Sequence, residues 1–455
     1  MLDRRLSERA ADFGVPAAAH ARPTGRARAE NVVRGSVLLL GCSIPVSVAA
    51  DNVLLAFILL CWFFGGGYRE KLAAIRGNPV ALAALALFGL YLAGTLYTIG
   101  SEREVLNALS KAARLLLIPA LMPLMRGAQW RKRGIVAFQG SMLVTLLLSY
   151  LLWLGVLPVN GWLKGTGLDP VAFKAHITHN VFMAFAAFLF ALAAMDAKTR
   201  GGRIACFALC AAAVANVLVM VPGRTGHIVL LVLFTYFLYR QLRAKGLVLA
   251  GVALGVLAIG VSLSPGTMLH QRITLADEEL QQWRAGVPPD LTSSIGQRLG
   301  LMRNTIEVIR DNPVLGVGTG GFTAAYAALA SRTGDAPTAN PHNEFLMIIA
   351  QFGLVGLVLL LFVFGTQWWL AARLPDRFDQ AAARGLVLTM VVASLLSSTL
   401  VDHAEGFFFV YMSGLLFAGY RDGWTRRRPG DEALMERGVP ATGEASGASA
   451  AKHVP

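Results

Sequence analysis

The chain has 455 residues, 55% of them hydrophobic and only 15% charged, with a mean hydropathy of +0.56. Its apolar residues come in runs of about 15–23 separated by short charged connectors, which is bilayer-length patterning and excludes a soluble globular domain. The net charge of +14 lies in those connectors, where it sets membrane topology and meets anionic headgroups; a nucleic-acid partner is excluded. Uninterrupted Leu, Ala, Val and Phe runs without strict alternation select helices over a barrel, so the expected fold is all-α and polytopic.

Residues 1–34 form a basic arm carrying Arg4, Arg5, Arg9, Arg22, Arg26, Arg28 and Arg34. The first apolar run begins only near Ser36, so no cleavable signal sequence is expected and the arm belongs in the cytoplasm. About twelve spans follow, at 35–49, 52–67, 79–98, 112–125, 134–157, 179–196, 204–221, 227–240, 246–264, 344–366, 385–401 and 407–420. Nine fill residues 35–264, a long loop occupies 265–341, and three fill 342–420. The stretch 421–455, rich in Gly, Ala and Ser, reads as a disordered cytoplasmic tail. Assigning alternate loops to opposite sides collects Arg69, Lys71 and Arg76, Arg131 to Arg133, Lys198 to Arg203, Arg240 to Lys245, Arg373 to Arg384 and Arg421 to Arg428 on one side. By the positive-inside rule that side is cytoplasmic, and the unusual polar residues face outward. Cys42, Cys61, Cys206 and Cys210 fall inside spans, with the last two one turn apart on one helix, so neither a disulfide nor a metal site is indicated.

Within the long loop, Ser293 to Arg303 leads into Asn304 to Asp311, with Leu299, Met302, Ile306 and Ile309 at helical spacing. This predicts an amphipathic helix lying along the membrane surface or the bundle, capped by Ser293 or Ser294, with Arg298 near its start. Pro313 to Phe322 is a Gly-rich turn whose amides, at Gly318 and Gly320 among others, are placed to approach a phosphate or simply to turn the chain. Pro222 to His227 is a tight outward turn holding Arg224, either an interfacial snorkelling residue or a cation waiting for an anion. Pro341-His342-Asn343-Glu344-Phe345-Leu346 opens straight into an apolar run. His342 suits proton removal from a hydroxyl at neutral pH, or caps the helix, and Asn343 and Glu344 supply hydrogen-bonding groups in its first turn.

Taken in order, the Arg224-Thr225-Gly226 turn, the Ser293/Arg298/Arg303 helix, Asn312-Pro313, the Gly316-x-Gly318-x-Gly320-x-Phe322 run and Pro341-His342-Asn343-x-Phe345-Leu346 resemble the O-antigen ligase and polymerase superfamily over roughly residues 35–420. The resemblance implies a metal-independent, cofactor-free glycosyltransferase of the membrane-embedded GT-C-like type. Its donor would be glycan on undecaprenyl diphosphate and its acceptor the lipid A-core oligosaccharide, met at the periplasmic face of the bacterial inner membrane. One long loop and one medium loop, 159–178, favour the ligase over the polymerase. Met302 stands where an aromatic is common in that family. With a diphosphate leaving group, the chemistry calls for fixed cations and a base. Arg224 and Arg298 are expected on the diphosphate and His342 as the base. Arg303, Lys111, Arg114, Asn343, Gly318 and Gly320 are expected to bind substrate, the bland alternative for Lys111 and Arg114 being headgroup contact. No Asp-x-Asp pair stands in the outward loops to hold a divalent cation. A polytopic transporter or flippase shares the twelve-span outline, but no repeat relates the two halves and intramembrane acidic residues are scarce. A protein-directed oligosaccharyltransferase of the same superfamily is the remaining alternative.

Overall fold

A computed structural model describes residues 25–157, 163, 165–262, 294–333, 335–400 and 402–420, with short pieces at 274, 277–278 and 281–282. All of them fall in one compact unit, Met1–Tyr420. The predicted tail, most of the basic arm and much of the long loop lie outside the described residues. Among the described residues every regular element is helical. In chain order these are α1 (Gly25–Ser43), α2 (Val48–Phe64), α3 (Tyr68–Arg76), α4 (Pro79–Ala93), α5 (Glu102–Ala112), α6 (Leu117–Leu124), α7 (Ala128–Trp153), α8 (His176–Asp196) and α9 (Arg200–Ala215). They continue with α10 (Arg224–Leu242), α11 (Ala244–Ser262), α12 (Ser294–Asp311), α13 (Phe322–Thr333), α14 (Glu344–Ala371), α15 (Arg377–Leu396) and α16 (His403–Phe417).

Local chemistry sets the boundaries. Ser101 and Glu104 form a reciprocal capping box at the head of α5, satisfying two amides that the helix itself leaves unpaired. Asn78 precedes Pro79 at the first position of α4, a favoured helix opening. Its side-chain oxygen accepts from the Val80 and Ala81 amides at 3.1 and 3.4 Å, while its amide group donates to the Phe417 carbonyl at 2.9 Å. One buried side chain thus starts α4 and fastens the end of α16.

Among the described residues eight helical segments are long and apolar enough to cross a bilayer, nine if the α2–α3 pair, bent by 115°, is one span. The chain is therefore a multi-pass α-helical membrane protein. The remaining expected spans fall on α1, which begins at Gly25 and so takes in the last, polar residues of the basic arm, on α11, whose apolar described part is Ala244–Val256, and on α16. With 15 residues, α16 rises only about 23 Å, short of a hydrocarbon core of about 30 Å. It is nevertheless buried on every side, because its apolar residues contact protein: Phe408 lies 5.4, 4.9 and 5.1 Å, centroid to centroid, from Phe138, Phe182 and Phe185. A helix apolar all round is a core helix as readily as a span.

Two ends of the bundle are distinguished by their polar contacts. At one, the buried Arg131–Asp379 pair joins α7 to α15 at 3.2 Å, Arg34 Nε donates to the Leu124 carbonyl at 3.1 Å, and Arg240 donates to the Arg377 carbonyl at 2.7 Å. At the other lie the 97–104, 216–224, 312–322, 339–344 and 396–403 segments.

At that second end α14 is interrupted. Gly353 has φ 61° and ψ −154°, a conformation essentially closed to side-chain-bearing residues. The break frees the Ala350 and Gln351 carbonyls to accept from the Val317 and Gly318 amides at 2.9 and 2.8 Å, and the Leu354 amide to donate to Pro313 at 2.9 Å. The Gly-rich run is thus laced into the helix. Gly316, Gly318 and Gly320 all have positive φ, and a Cβ on each would overlap the backbone of Gln351, Thr98 and Glu104 respectively.

α12 forms where expected but turns a different face to the bundle. Its buried residues are Asn304, Thr305 and Val308, whereas Met302 and Ile306 are exposed. Asn304 donates to Tyr326 Oη at 3.2 Å and to the Asp335 carboxylate at 2.7 Å. The apolar stripe read from the sequence is thus offset, because a polar network decides the rotation of the helix.

Gly353→Ala should lower stability by about 2 kcal/mol or more, from the strained backbone and from overlap with Val314. Gly365→Ala in the same helix, where a Cβ meets nothing within 4 Å, should be neutral or slightly stabilising. Thermal unfolding of the two purified variants in detergent checks the contrast.

Candidate functional site

The 340–344 segment leads into α14, and Pro341 keeps Asn340 out of helical geometry. Asn343 then caps the helix: its side-chain oxygen accepts from the Leu346 amide at 3.0 Å, and its amide group donates to the Leu395 carbonyl at 3.0 Å. Glu344 is buried, and its Oε2 accepts from the Leu400 amide at 2.9 Å. Asn340 Oδ1 accepts from the His342 amide at 2.8 Å and from the Ser398 hydroxyl at 2.6 Å. The segment is thereby sewn to residues 395–400, the last turn of α15 and the start of the link to α16. These bonds hold His342 at φ 54°, an uncommon conformation for a residue with a Cβ.

Arg224 is the first residue of α10 and is exposed. The turn before it is tight because glycine is needed twice: a Cβ on Gly223 or Gly226 would strike Asn180 of α8. Asn180 in turn donates to the Val221 carbonyl at 3.1 Å. A π-helical turn, Asn216–Met220, precedes it. That turn is fixed by a buried network in which Asn216 meets His179 at 2.9 Å and donates to Ser149 at 2.8 Å. Arg298 sits half-buried in the first turns of α12.

Charge couplings join these groups. Burial and the Arg224 charge lower the pKa of Arg298. His342 is open to solvent on one side and backed by protein on the other. That partial burial, then Arg298, lowers its pKa below the ordinary value, and Asp402 opposes them. Burial raises the pKa of Asp402, opposed by Lys111, by His342, by the Ser397 hydroxyl and by Arg114. At neutral pH the imidazole is therefore mainly uncharged and able to accept a proton.

The remaining expected site residues divide. Arg114 is buried, and its guanidinium donates to the Asp402 carbonyl at 2.8 Å, reaches the His403 carbonyl at 3.4 Å and lies 2.9 Å from His403 Nδ1. Its fork is committed to the start of α16. Lys111 is half-buried and, with Arg114, lines a cavity of about 100 Å³ shared with Asn107, Thr323, Gln351 and Val410. Arg303 is exposed and stands roughly 140° round α12 from Arg298, away from the other cations. Among the described residues no hydrogen bond or ion pair engages Lys111, Arg224, Arg298 or Arg303. The Gly318 and Gly320 amides are already engaged, by the Gln351 carbonyl and by Gln351 Oε1, each at 2.8 Å; the Gly-rich run builds the fold here rather than offering these amides to a phosphate.

Sequence reasoning missed Asp402, Asn340 and Gln351. The signal that could have found Asp402 is an acidic pair, Asp402 and Glu405, between two apolar runs. Among the described residues no group of three or more His, Cys, Asp or Glu side chains could hold a metal ion.

The fold is that of a multi-pass α-helical membrane protein, and Arg224, Arg298 and His342 are charge-coupled neighbours at one end of its bundle. Residues 209–361, about a third of the chain, match the family model described as O-antigen ligase, which supports an assignment to that family of glycosyltransferase-like membrane enzymes. The matched segment runs from α9 into α14 and contains Arg224, Arg298 and His342, whereas Lys111, Arg114 and Asp402 lie outside it. A solved chain from "Structural coordination of polymerization and crosslinking by a peptidoglycan synthase complex" aligns over 75% of this chain and 98% of its own, at 18% identity and a TM-score of 0.42, a likeness too slight to argue from. No curated protein matches the chain.

The coupling has a testable sign. Diethyl pyrocarbonate modifies unprotonated imidazole, so its rate at His342, followed against pH by peptide mass spectrometry, reports the pKa. The midpoint should lie below about 6.5 in the native protein. It should rise in Arg298→Gln, which removes a cation, and fall further in Asp402→Asn, which removes an anion.

Proposed function

We propose that the protein is an O-antigen ligase that moves glycan from undecaprenyl diphosphate to the lipid A-core oligosaccharide at the periplasmic face of the inner membrane. The observation that carries this reading is the run of neighbouring groups Arg224, Arg298 and His342, two unengaged cations beside an imidazole of lowered pKa. His342 takes the proton of the acceptor hydroxyl as that oxygen attacks the donor's anomeric carbon. The carbon–oxygen bond to the diphosphate breaks, the new glycosidic bond forms with inverted configuration, and the electron pair leaves with the diphosphate. Arg224 and Arg298 stabilise that departing charge; guanidinium suits the task because its planar fork binds phosphate bidentately and stays charged. The reading needs neither metal nor cofactor.

The proposed topology keeps twelve spans, with α1, α2, α11 and α16 completing the eight long helices. The segment 265–341 is the periplasmic loop, and residues 1–34 and 421–455 lie in the cytoplasm. Residues 97–104 bond to 312–322 and residues 340–344 to 395–400, at the end of the bundle away from the Arg131–Asp379 pair, an arrangement that supports the reading of a periplasmic active site. In a background with the native cysteines replaced, Gly167→Cys should react with a membrane-impermeant thiol reagent in cells with a permeabilised outer membrane, and Gly201→Cys should not. Reaction at position 201 alone would invert the topology.

In cells lacking the native gene, restoring His342→Ala should leave a well-inserted protein with transfer reduced by about 10²–10⁴-fold. Arg224→Lys and Arg298→Lys should both stay strongly impaired because the charge survives but the fork is lost. The double Arg→Ala variant should lose less than the sum of the single losses, as expected of two groups acting on one diphosphate. The lipopolysaccharide ladder on gels reads these outcomes. Loss of long chains with carrier-linked polymer accumulating marks a ligase, whereas a core-plus-one-unit band would assign polymerisation instead.

A further inference from the structure

We infer that the cavity beside Lys111 receives a phosphate group carried by the acceptor glycolipid. This rests on the ligase reading of the site. A transferase base has to stand between the two molecules it joins. The charged groups here couple pairwise, Arg224 with Arg298, Arg298 with His342, His342 with Asp402, and Asp402 with Lys111 and Arg114, while Glu344 also faces Lys111. If the donor diphosphate occupies the Arg224–Arg298 side of His342, the cations beyond Asp402 face the other substrate.

The cavity has the make-up of a small anion subsite. Its volume of about 100 Å³ is room enough for one compact polar group. Lys111, Asn107 and Thr323 supply donors, and Leu87, Tyr91, Met347 and Val410 form an apolar floor. The one carboxylate of the lining is already committed: Glu104 Oε2 accepts from the Ser101 amide and hydroxyl, each at 2.8 Å. Arg114 is held by the Asp402 and His403 carbonyls, so it adds positive charge at a fixed place. The half-buried Lys111 ammonium stands beside that second cation with no hydrogen-bonded partner among the described residues, an arrangement that an incoming anion completes. The apolar floor suits the attached, less polar part of an amphipathic molecule.

The test uses the full-length protein in nanodiscs of zwitterionic lipid and purified lipid A-core acceptor, with and without enzymatic dephosphorylation. Binding is measured by thermophoresis, and transfer by acceptor and donor KM. The native protein should bind the phosphorylated acceptor about tenfold more tightly than the dephosphorylated one. Lys111→Ala should bind both at the weaker affinity and raise the acceptor KM about tenfold, Lys111→Arg should restore most of the preference, and the donor KM should not move. Arg103→Ala, an exposed cation on the same helix, serves as the control for general charge effects. Equal binding of both acceptors by the native protein, or a rise confined to the donor KM in Lys111→Ala, overturns the assignment. Displacement by phosphatidylglycerol irrespective of acceptor phosphate also overturns it and gives the cavity to membrane lipid. Phosphate-dependent binding with no transfer by the native protein would leave this subsite standing and refute the ligase reading.

Discussion

The interruption of α14 at Gly353 is the constraint on which the end of the bundle carrying the site depends. A membrane helix cannot leave its backbone groups unpaired in hydrocarbon, because each costs several kcal/mol. Here the Gly-rich run 313–321 supplies the missing partners, exchanging hydrogen bonds with Ala350, Gln351 and Leu354. The same run reaches the other way. Thr319 donates from its amide to the Gly94 carbonyl at 3.1 Å and from its hydroxyl to the Tyr91 carbonyl at 2.6 Å, while Tyr97 donates to Leu315 at 2.8 Å. One loop therefore ties α14, which carries His342 at its head, to α4 and to the approach to α5, which carries Lys111.

Around this tie the polar side chains form a sparse frame in an apolar bundle. Asn343 and Glu344 reach across to Leu395 and Leu400, and Arg114 grips the start of α16. Each contact satisfies a group that would otherwise be costly to bury, and each also fixes the place of a neighbour. Among the described residues Arg224, Arg298, Lys111 and Arg303 stand outside this frame, and the first three belong to the coupled charges around His342 and Asp402.

Much of the fold could be read from the chain, because bilayer-length apolar runs and the one-sided Lys and Arg distribution are strong signals. Helix ends were harder. α1 extends into the arm because residues such as Ala27 and Ala29 continue a helix at no cost in propensity, and α16 hides its shortness within an apolar run. At the site, Arg224, Arg298 and His342 stood out as polar residues beside apolar helices. The role of the Gly-rich run did not, since alternate glycines suit a phosphate cradle and a laced loop equally, and the backbone it pairs with lies well further along the chain. Asp402 was illegible for a similar reason: its neighbours His342 and Lys111 are distant in sequence, and only the folding of α15 and α16 brings them near.

The burial of α16 bears on how the protein is made. A segment of 15 residues is short for a hydrocarbon core of about 30 Å, so its stable seat is the protein that contacts it on every side. The helices around Phe408 that receive it, α7 and α8, are synthesised well before it. Docking of α16 thus follows the synthesis of the helices that receive it. The same docking event brings Asp402 beside His342, so the charge pattern of the site forms after those helices are in place.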